Sequence, residues 1–197
     1  MRKSPSSPLV VGVDTGARWT GLVVCIGEKI IAADTLEMEH PDRIKPAVVC
    51  ESDAAVLSGA LTSLLAAAGV DPHLDLVAVE SIQAPRGHAK GRKGHLISPW
   101  HLMRAAALAA TALTVHPVAS ARARVLVPPG GHGGHPLPVY RSIPGSDGLL
   151  VGARETTGGG KSKYQHRRSA YDVAQAGMRM HRLSMAAGKP ERIGGTA

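Results

Sequence analysis

Apolar positions in the first forty residues come in short runs broken by turn residues. Residues 9–14 (LVVGVD) are apolar apart from Gly12 and a closing Asp14. Thr15-Gly16 turns the chain, and a second β-rich run occupies residues 19–26. Gly27-Glu28 makes another tight turn before residues 29–36. This pattern predicts three strands joined as an antiparallel meander. After a loop holding Pro41 and Pro46 the period changes. Val56, Leu57, Ala60, Leu61, Leu64, Leu65 and Ala68 recur at helical spacing, with Ser52 as N-cap, Asp53 in the first turn and Gly69 as the stop. Residues 74–79 (LDLVAV) read as a strand ended by Glu80, apolar enough to be covered on both faces.

Beyond Glu80 the spacing loosens. Residues 83–97 form a basic loop punctuated by glycine, and Ser98-Pro99 opens a helix expected to reach Leu113. Residues 124–127 read as a short strand. Residues 128–163 are rich in Pro and Gly and read as a long loop, functional or disordered, with a short ordered piece near 139–141. The last helix is expected over 166–187, ended by Gly188 and Pro190. The order β-β-β-α-β-α-β-α predicts an α/β domain over 9–187, a mixed five-stranded sheet with helices on its faces. Residues 1–8 read as a disordered lead and 188–197 as a flexible tail.

Composition narrows this. The chain has 197 residues, no Phe and 3% aromatics, so its core rests on Val, Leu, Ala, Ile and Met. Cys25 and Cys50, the two cysteines, sit in apolar contexts and read as buried thiols of a reducing cytosol. No apolar run reaches membrane-spanning length, and MRKSPSSP lacks the apolar segment of a signal peptide, so the expectation is a cytoplasmic protein without a membrane partner. The net charge of +8 is uneven. Residues 1–80 hold 6 Lys/Arg against 11 acids, residues 81–146 hold 8 and no acid, and residues 147–197 hold 9 and 4. A stretch that basic points to a polyanion, of which nucleic acid is the commonest. Arg86, Lys90, Arg92 and Lys93, and after them Lys161, Lys163, Arg167 and Arg168, are the candidate phosphate contacts.

Against this background three acids stand out. Asp14 ends the first strand, Glu80 ends the central one, and Asp172 lies in the last helix. An acid within an apolar strand carries a desolvation penalty unless a cation or donor is near. Neighbouring first and fourth strands would set Asp14 beside Glu80, and the last helix could deliver Asp172 to the same place. Arg168, four residues before Asp172, offers that acid an alternative partner within the helix. Three carboxylates gathered together need a raised pKa or bound cations. Oxygen ligands with room for water suit Mg²⁺ or Mn²⁺, and two such ions can support phosphodiester hydrolysis.

The segments VVGVDTGARWTGLVV, VAVESI and HRRSAYDVA, in that order, resemble the RuvC-type Holliday junction resolvases of the ribonuclease H-like superfamily. The likeness spans about residues 9–180 and is greatest to the divergent versions carried by bacteriophages. It implies a homodimer that nicks four-way DNA junctions in recombination and repair with Mg²⁺, and it makes Asp14, Glu80 and Asp172 metal-binding catalytic acids. The chain departs from the family in two ways. Where many relatives carry an acid or a His three residues before the last Asp, it has Ser169, and the loop after Glu80 lacks an aromatic wedge. His166, six residues before Asp172 and on a different face of an ideal helix, reaches the acids only if the helix starts after it. Its two readings are a catalytic group and a phosphate contact. Trp100 reads as a core or dimer contact on the 98–113 helix.

Two motifs are set aside. GGGKS at 158–162 lacks the first glycine of a phosphate-binding loop, having Glu155 there. His132 and His135 lack cysteines or a rigid element beside them. Three alternatives to a junction endonuclease remain. One is a non-catalytic binder of branched DNA, and another is a ribonuclease H-like nuclease acting on RNA or other branched DNA. The third is an aspartic peptidase suggested by DTGA at 14–17 with Thr20, a class that needs a nearly all-β dimer.

Overall fold

The structure is a computed structural model. It describes residues 7–16, 19–38, 46–70, 73–81, 99–130, 134–152, 155 and 163–188, with backbone alone for 46–51 and 99–105. Three strands come first: β1 (Leu9–Asp14), β2 (Trp19–Ile26) and β3 (Lys29–Glu37). Helix α1 (Pro46–Ala67), strand β4 (Leu76–Glu80), helix α2 (Pro99–Ala112) and strand β5 (Ala123–Val127) follow. A short helix α3 (Leu137–Arg141) and the long α4 (Lys163–Ala186) complete the described chain. The sheet order is β3-β2-β1-β4-β5. β1 pairs antiparallel with β2 and parallel with β4, which pairs parallel with β5. The mixed five-stranded α/β sheet expected from the sequence is the one observed, and β1 and β4 are neighbours.

The pleat sorts side chains to two layers. Val11 and Val13 of β1, with Val77 and Val79 of β4, pack with Leu57, Leu61 and Leu65 of α1 and Leu108 of α2. Val10, Leu76 and Ala78 point the other way, onto Val173 and Ala174 of α4. The apolar stripe Ala170, Val173, Ala174, Gly177 does face the sheet, and all four are buried.

Two strand glycines let α4 lie almost on the backbone. A Cβ at Gly12 would collide with the carbonyl oxygen of Ala170 and come within 2.8 Å of the Ala174 Cβ. One at Gly21 would collide with the carbonyl oxygen of His166. Since Gly21 pairs with Asp14 across β1 and β2, the start of α4 is brought to the end of β1.

Three local readings change. α1 begins at Pro46, six residues before Ser52, because a proline suits the first turn of a helix, where its missing N–H has no intrahelical partner. Gly69 does end it, at φ 64°. α4 begins at Lys163, so His166 lies inside the helix. The Pro/Gly-rich region is, in its described residues, a packed layer and no slack loop. Leu137, Tyr140, Leu150 and Val151 are buried against Val23, Cys25, Ala170 and Tyr171, since their spacing between turn residues folds them back onto α4. Cys25 is buried as expected, and burial pushes its thiol up to about 12. The Cys50 side chain lies outside the described residues. No helix among the described residues is long and apolar enough to cross a membrane.

The glycine seam gives a paired expectation. Gly12→Ala forces α4 off β1 and lowers stability by about 1–3 kcal/mol. Gly59→Ala, on the open side of α1 with nothing within 4 Å of its Cβ position, raises it by about 0.5–1 kcal/mol. Urea denaturation of the two variants reads both signs.

Candidate active site

Asp14 and Glu80 end two adjacent parallel strands. The parallel pairing runs to Val13↔Val79, and the two acids are the next residues along. Both follow the alternation that sends Gly12 and Ala78 toward α4, so they share the α4 side of the sheet. The residue is 8% exposed at Asp14 and half-buried at Glu80. Their carboxyl groups are hydrogen-bonded to each other. Burial, then the hydrogen bond to Asp14 and its negative charge, push the Glu80 carboxyl from 4.5 up to about 8. At neutral pH the Glu80 carboxyl therefore keeps its proton. The main chain fixes this edge from below, where the Thr15 hydroxyl donates to the Glu80 carbonyl at 3.2 Å and the Ser81 N–H donates to the Val127 carbonyl at 2.8 Å.

The third member is His166. Its Nδ1 lies 3.1 Å from Asp14 Oδ2, and its side chain is 30% exposed. It reaches Asp14 from within α4, contrary to the expectation that the helix would have to start after it. The reason is helical phase. Ala170 and Ala174 rest on β1, and His166 is four residues before Ala170 on the same line.

That phase turns Asp172 elsewhere. It lies about 200° round the helix from Ala170, away from the line that meets β1. The Tyr140 hydroxyl of α3 donates to Asp172 Oδ2 at 2.6 Å. Burial, then the hydrogen bond and charge of Asp172, raise the Tyr140 hydroxyl well above its usual range. Of the expected acids, the structure brings Asp14 and Glu80 together and sets Asp172 against α3. Ser169, three residues after His166, is buried.

Two expected phosphate contacts are corrected. Arg168 is 1% exposed, and its Nη1 donates to Glu155 at 3.0 Å and to the Leu150 carbonyl at 3.0 Å. Arg167, 8% exposed, donates to Asp34 at 3.1 Å, to the Thr35 hydroxyl at 3.3 Å and to the Leu149 carbonyl at 3.4 Å. Their guanidinium groups are committed to internal acids and carbonyls, because residues 149–152 and Glu155 lie over α4. Lys163 is exposed. Arg86, Lys90, Arg92, Lys93 and Lys161 lie outside the described residues, as does His132, while the Trp100 side chain is not described. His135 is exposed, 6.0 Å from the Tyr140 ring.

Among the described residues no group of three or more His, Cys, Asp or Glu is arranged as a metal cage. The carboxylate pair alone fits Mg²⁺ or Mn²⁺. Such ions take one or two carboxylates and keep several waters, and a pair forced to share a proton is the donor set that a dication relieves.

No family model and no curated protein matches this chain. Solved structures do. A T. thermophilus RuvC in complex with Holliday junction substrate is 13% identical and aligns with a TM-score of 0.50 over 89% of this chain and 95% of that one. A second Thermus thermophilus RuvC structure is 15% identical, with a TM-score of 0.48 over 89% and 96%. The fold is RuvC-like. At this identity the likeness reaches the ribonuclease H-like architecture and no further. That architecture, a sheet between layers of helices, removes the nearly all-β frame the peptidase alternative requires.

Two outcomes follow from these contacts. The folded protein holds a proton on Glu80 that the unfolded chain releases, so the Glu80 contribution to stability falls as pH rises from about 4.5 to about 8 and is flat above. Thermal melts in EDTA should show that decline, and the difference between wild type and Glu80→Gln isolates it. Arg168→Gln strands a largely buried Glu155 and should cost about 3–5 kcal/mol in urea denaturation.

Proposed function

We propose that this protein is a metal-dependent endonuclease that resolves four-way or otherwise branched DNA by phosphodiester hydrolysis. Asp14, Glu80 and His166 are the working residues. The observation that carries the reading is the Asp14–Glu80 pair, two acids at the ends of adjacent parallel strands held in one shared-proton contact with His166 beside them. The RuvC-like fold, the motif resemblance to bacteriophage-borne resolvases and the acid-free basic tract at 81–146 support it.

Asp14 and Glu80 would hold Mg²⁺ or Mn²⁺, two ions when a substrate phosphate is bound. Bound there, the metal supplies a water of lowered pKa and a counter-charge for the leaving oxygen. In hydrolysis the water oxygen bonds to phosphorus, the bond from phosphorus to the leaving sugar oxygen breaks, and that oxygen gains a proton. His166, its Nδ1 fixed by Asp14, would take up and pass on a proton at Nε2, and its 30% exposed side chain gives access to solvent and substrate. Lys163 and the basic tract after Glu80, with Arg86, Lys90, Arg92, Lys93 and Lys161, would contact phosphates. Two copies acting as a homodimer would cut a four-way junction symmetrically. Asp172 takes a supporting part here, holding α3 through Tyr140. A non-catalytic binder would need the same basic surface but not a carboxylate pair under proton-sharing strain.

A labelled four-way junction incubated with protein and Mg²⁺ is the direct test. Cleavage is expected in wild type. Asp14→Asn and Glu80→Gln should each lower the rate by at least about 10²-fold, and His166→Ala by about 10²-fold. Asp172→Asn should stay within a few-fold of wild type. A collapse there equal to that of Asp14→Asn would return Asp172 to the catalytic set. Absence of cutting by wild type, with tight junction binding, would favour the binder.

A further inference from the structure

The layer over α4 holds an open cavity of about 350 Å³, lined by Arg141, Asp147, Gly148, Val151 and Gly152. That volume falls at the lower end of the range of small-ligand sites, about 300–1,000 Å³. Two opposite charges line it without meeting. Among the described residues the Asp147 carboxylate accepts no hydrogen bond and joins no ion pair, with Arg141 or with any other cation. Arg141 is held at one point, where Nη2 donates to the Glu155 carbonyl, and its other N–H groups have no acceptor among the described residues.

The main chain fixes these walls. The N–H groups of Leu149, Leu150 and Val151 all donate to the Ser146 carbonyl, at 3.0, 2.8 and 3.4 Å. Ser146 is 2% exposed, and its hydroxyl donates to the Arg141 carbonyl at 3.3 Å. The backbone that carries Asp147 is thereby tied to the backbone that carries Arg141. Gly148, at φ 70°, has nothing within 4 Å of its Cβ position, so its part of the wall is bare main chain. Gly152 is backed by the Tyr164 ring, 2.9 Å from where a Cβ would stand. Glycine main chain beside one valine lets a flat ring lie close.

The two charges select the ligand. A guanidinium matches phosphate oxygens in a bidentate pair. An ionised carboxylate only accepts, and its two oxygens match two adjacent N–H donors. Guanine presents such donors side by side, the ring N1–H and the exocyclic amine. Adenine and cytosine set a single amine beside an acceptor nitrogen. Free phosphate would be repelled by Asp147, and an amino acid would leave most of the volume empty.

We propose that this cavity is a guanine-nucleotide site, in which Asp147 accepts from the base edge and Arg141 donates to the phosphate. It shares no residue with the Asp14–Glu80 pair, so it stands or falls apart from the endonuclease reading. Two sources offer the same chemistry, a free nucleotide and an unpaired guanine of a DNA strand.

The test titrates the isotope-labelled full chain with dGMP in EDTA. The amide signals of Gly148, Val151 and Gly152 should shift saturably, with a Kd below about 1 mM. dIMP, which lacks the exocyclic amine, and dAMP should bind at least about 10-fold more weakly, and inorganic phosphate alone should leave these signals in place. Asp147 has no protein partner to lose, so Asp147→Asn should stay folded and bind dGMP about 10- to 100-fold more weakly. Wild type should prefer dGMP to deoxyguanosine, and Arg141→Gln should bind the two alike. A dT oligonucleotide with one central dG that displaces dGMP, where all-dT does not, assigns the site to a strand. Displacement by neither assigns it to the free nucleotide. No saturable shift at the three amides, equal affinity for dGMP and dAMP, equal displacement by all-dT, or unchanged dGMP binding in Asp147→Asn overturns the site.

Discussion

Gly12 and Gly21 have no side chains at the points where α4 crosses β1 and β2, and the meeting of His166 with Asp14 depends on that crossing. A helix normally stands off a sheet by the thickness of its interposed side chains. Here the main-chain oxygens of His166 and Ala170 come down almost to the strand backbone. The rotation of α4 about its axis is thereby set, since only the line through His166, Ala170 and Ala174 can approach so closely. His166 then meets Asp14, and Asp172 is carried round to α3. Chemistry at the sheet end is a consequence of packing in the middle of the sheet.

The same rotation explains what the sequence revealed and what it concealed. The strands were legible because short apolar runs ended at turn residues, and the acids at 14 and 80 were legible because each closed such a run. Their adjacency followed once β1 and β4 paired in parallel, which no local pattern states. The phase of α4 was not legible from its own residues. Asp172 and His166 sit about 120° apart on an ideal helix, and the apolar stripe alone does not say which flank of it meets the strand end. The deciding signal was present in the strands, as a glycine at 12 facing Ala170 and Ala174 and a glycine at 21 facing His166. A partner-free reading of Arg167 and Arg168 misleads for a related reason. Their acids, Asp34 and Glu155, stand 133 and 13 residues away, and a cation paired at such distance looks like a surface charge in sequence.

Those two arginines give residues 134–152 and Glu155 their place. Arg167 reaches the Leu149 carbonyl and β3, while Arg168 reaches the Leu150 carbonyl and Glu155. Tyr140 adds a third tie through Asp172, and its ring lies 5.6 Å from the Arg168 guanidinium carbon. A segment whose composition suggested slackness becomes a second layer over α4, held by charge as much as by apolar contact. Breaking one partner of such buried pairs is costly even where the intact pair contributes little net stability.

The alternation along β1 has one more effect. Asp14 is tolerated because it falls on the side where Glu80 and His166 wait for it. A slip of one residue in the pairing of β1 with β4 would swing it into the aliphatic layer formed with α1, where a bare carboxylate has no company. Mis-threaded sheets are thus penalised by the buried carboxylate itself. The acid at the strand end doubles as a proofreader of assembly, and a chain that folds with its strands out of step is unstable.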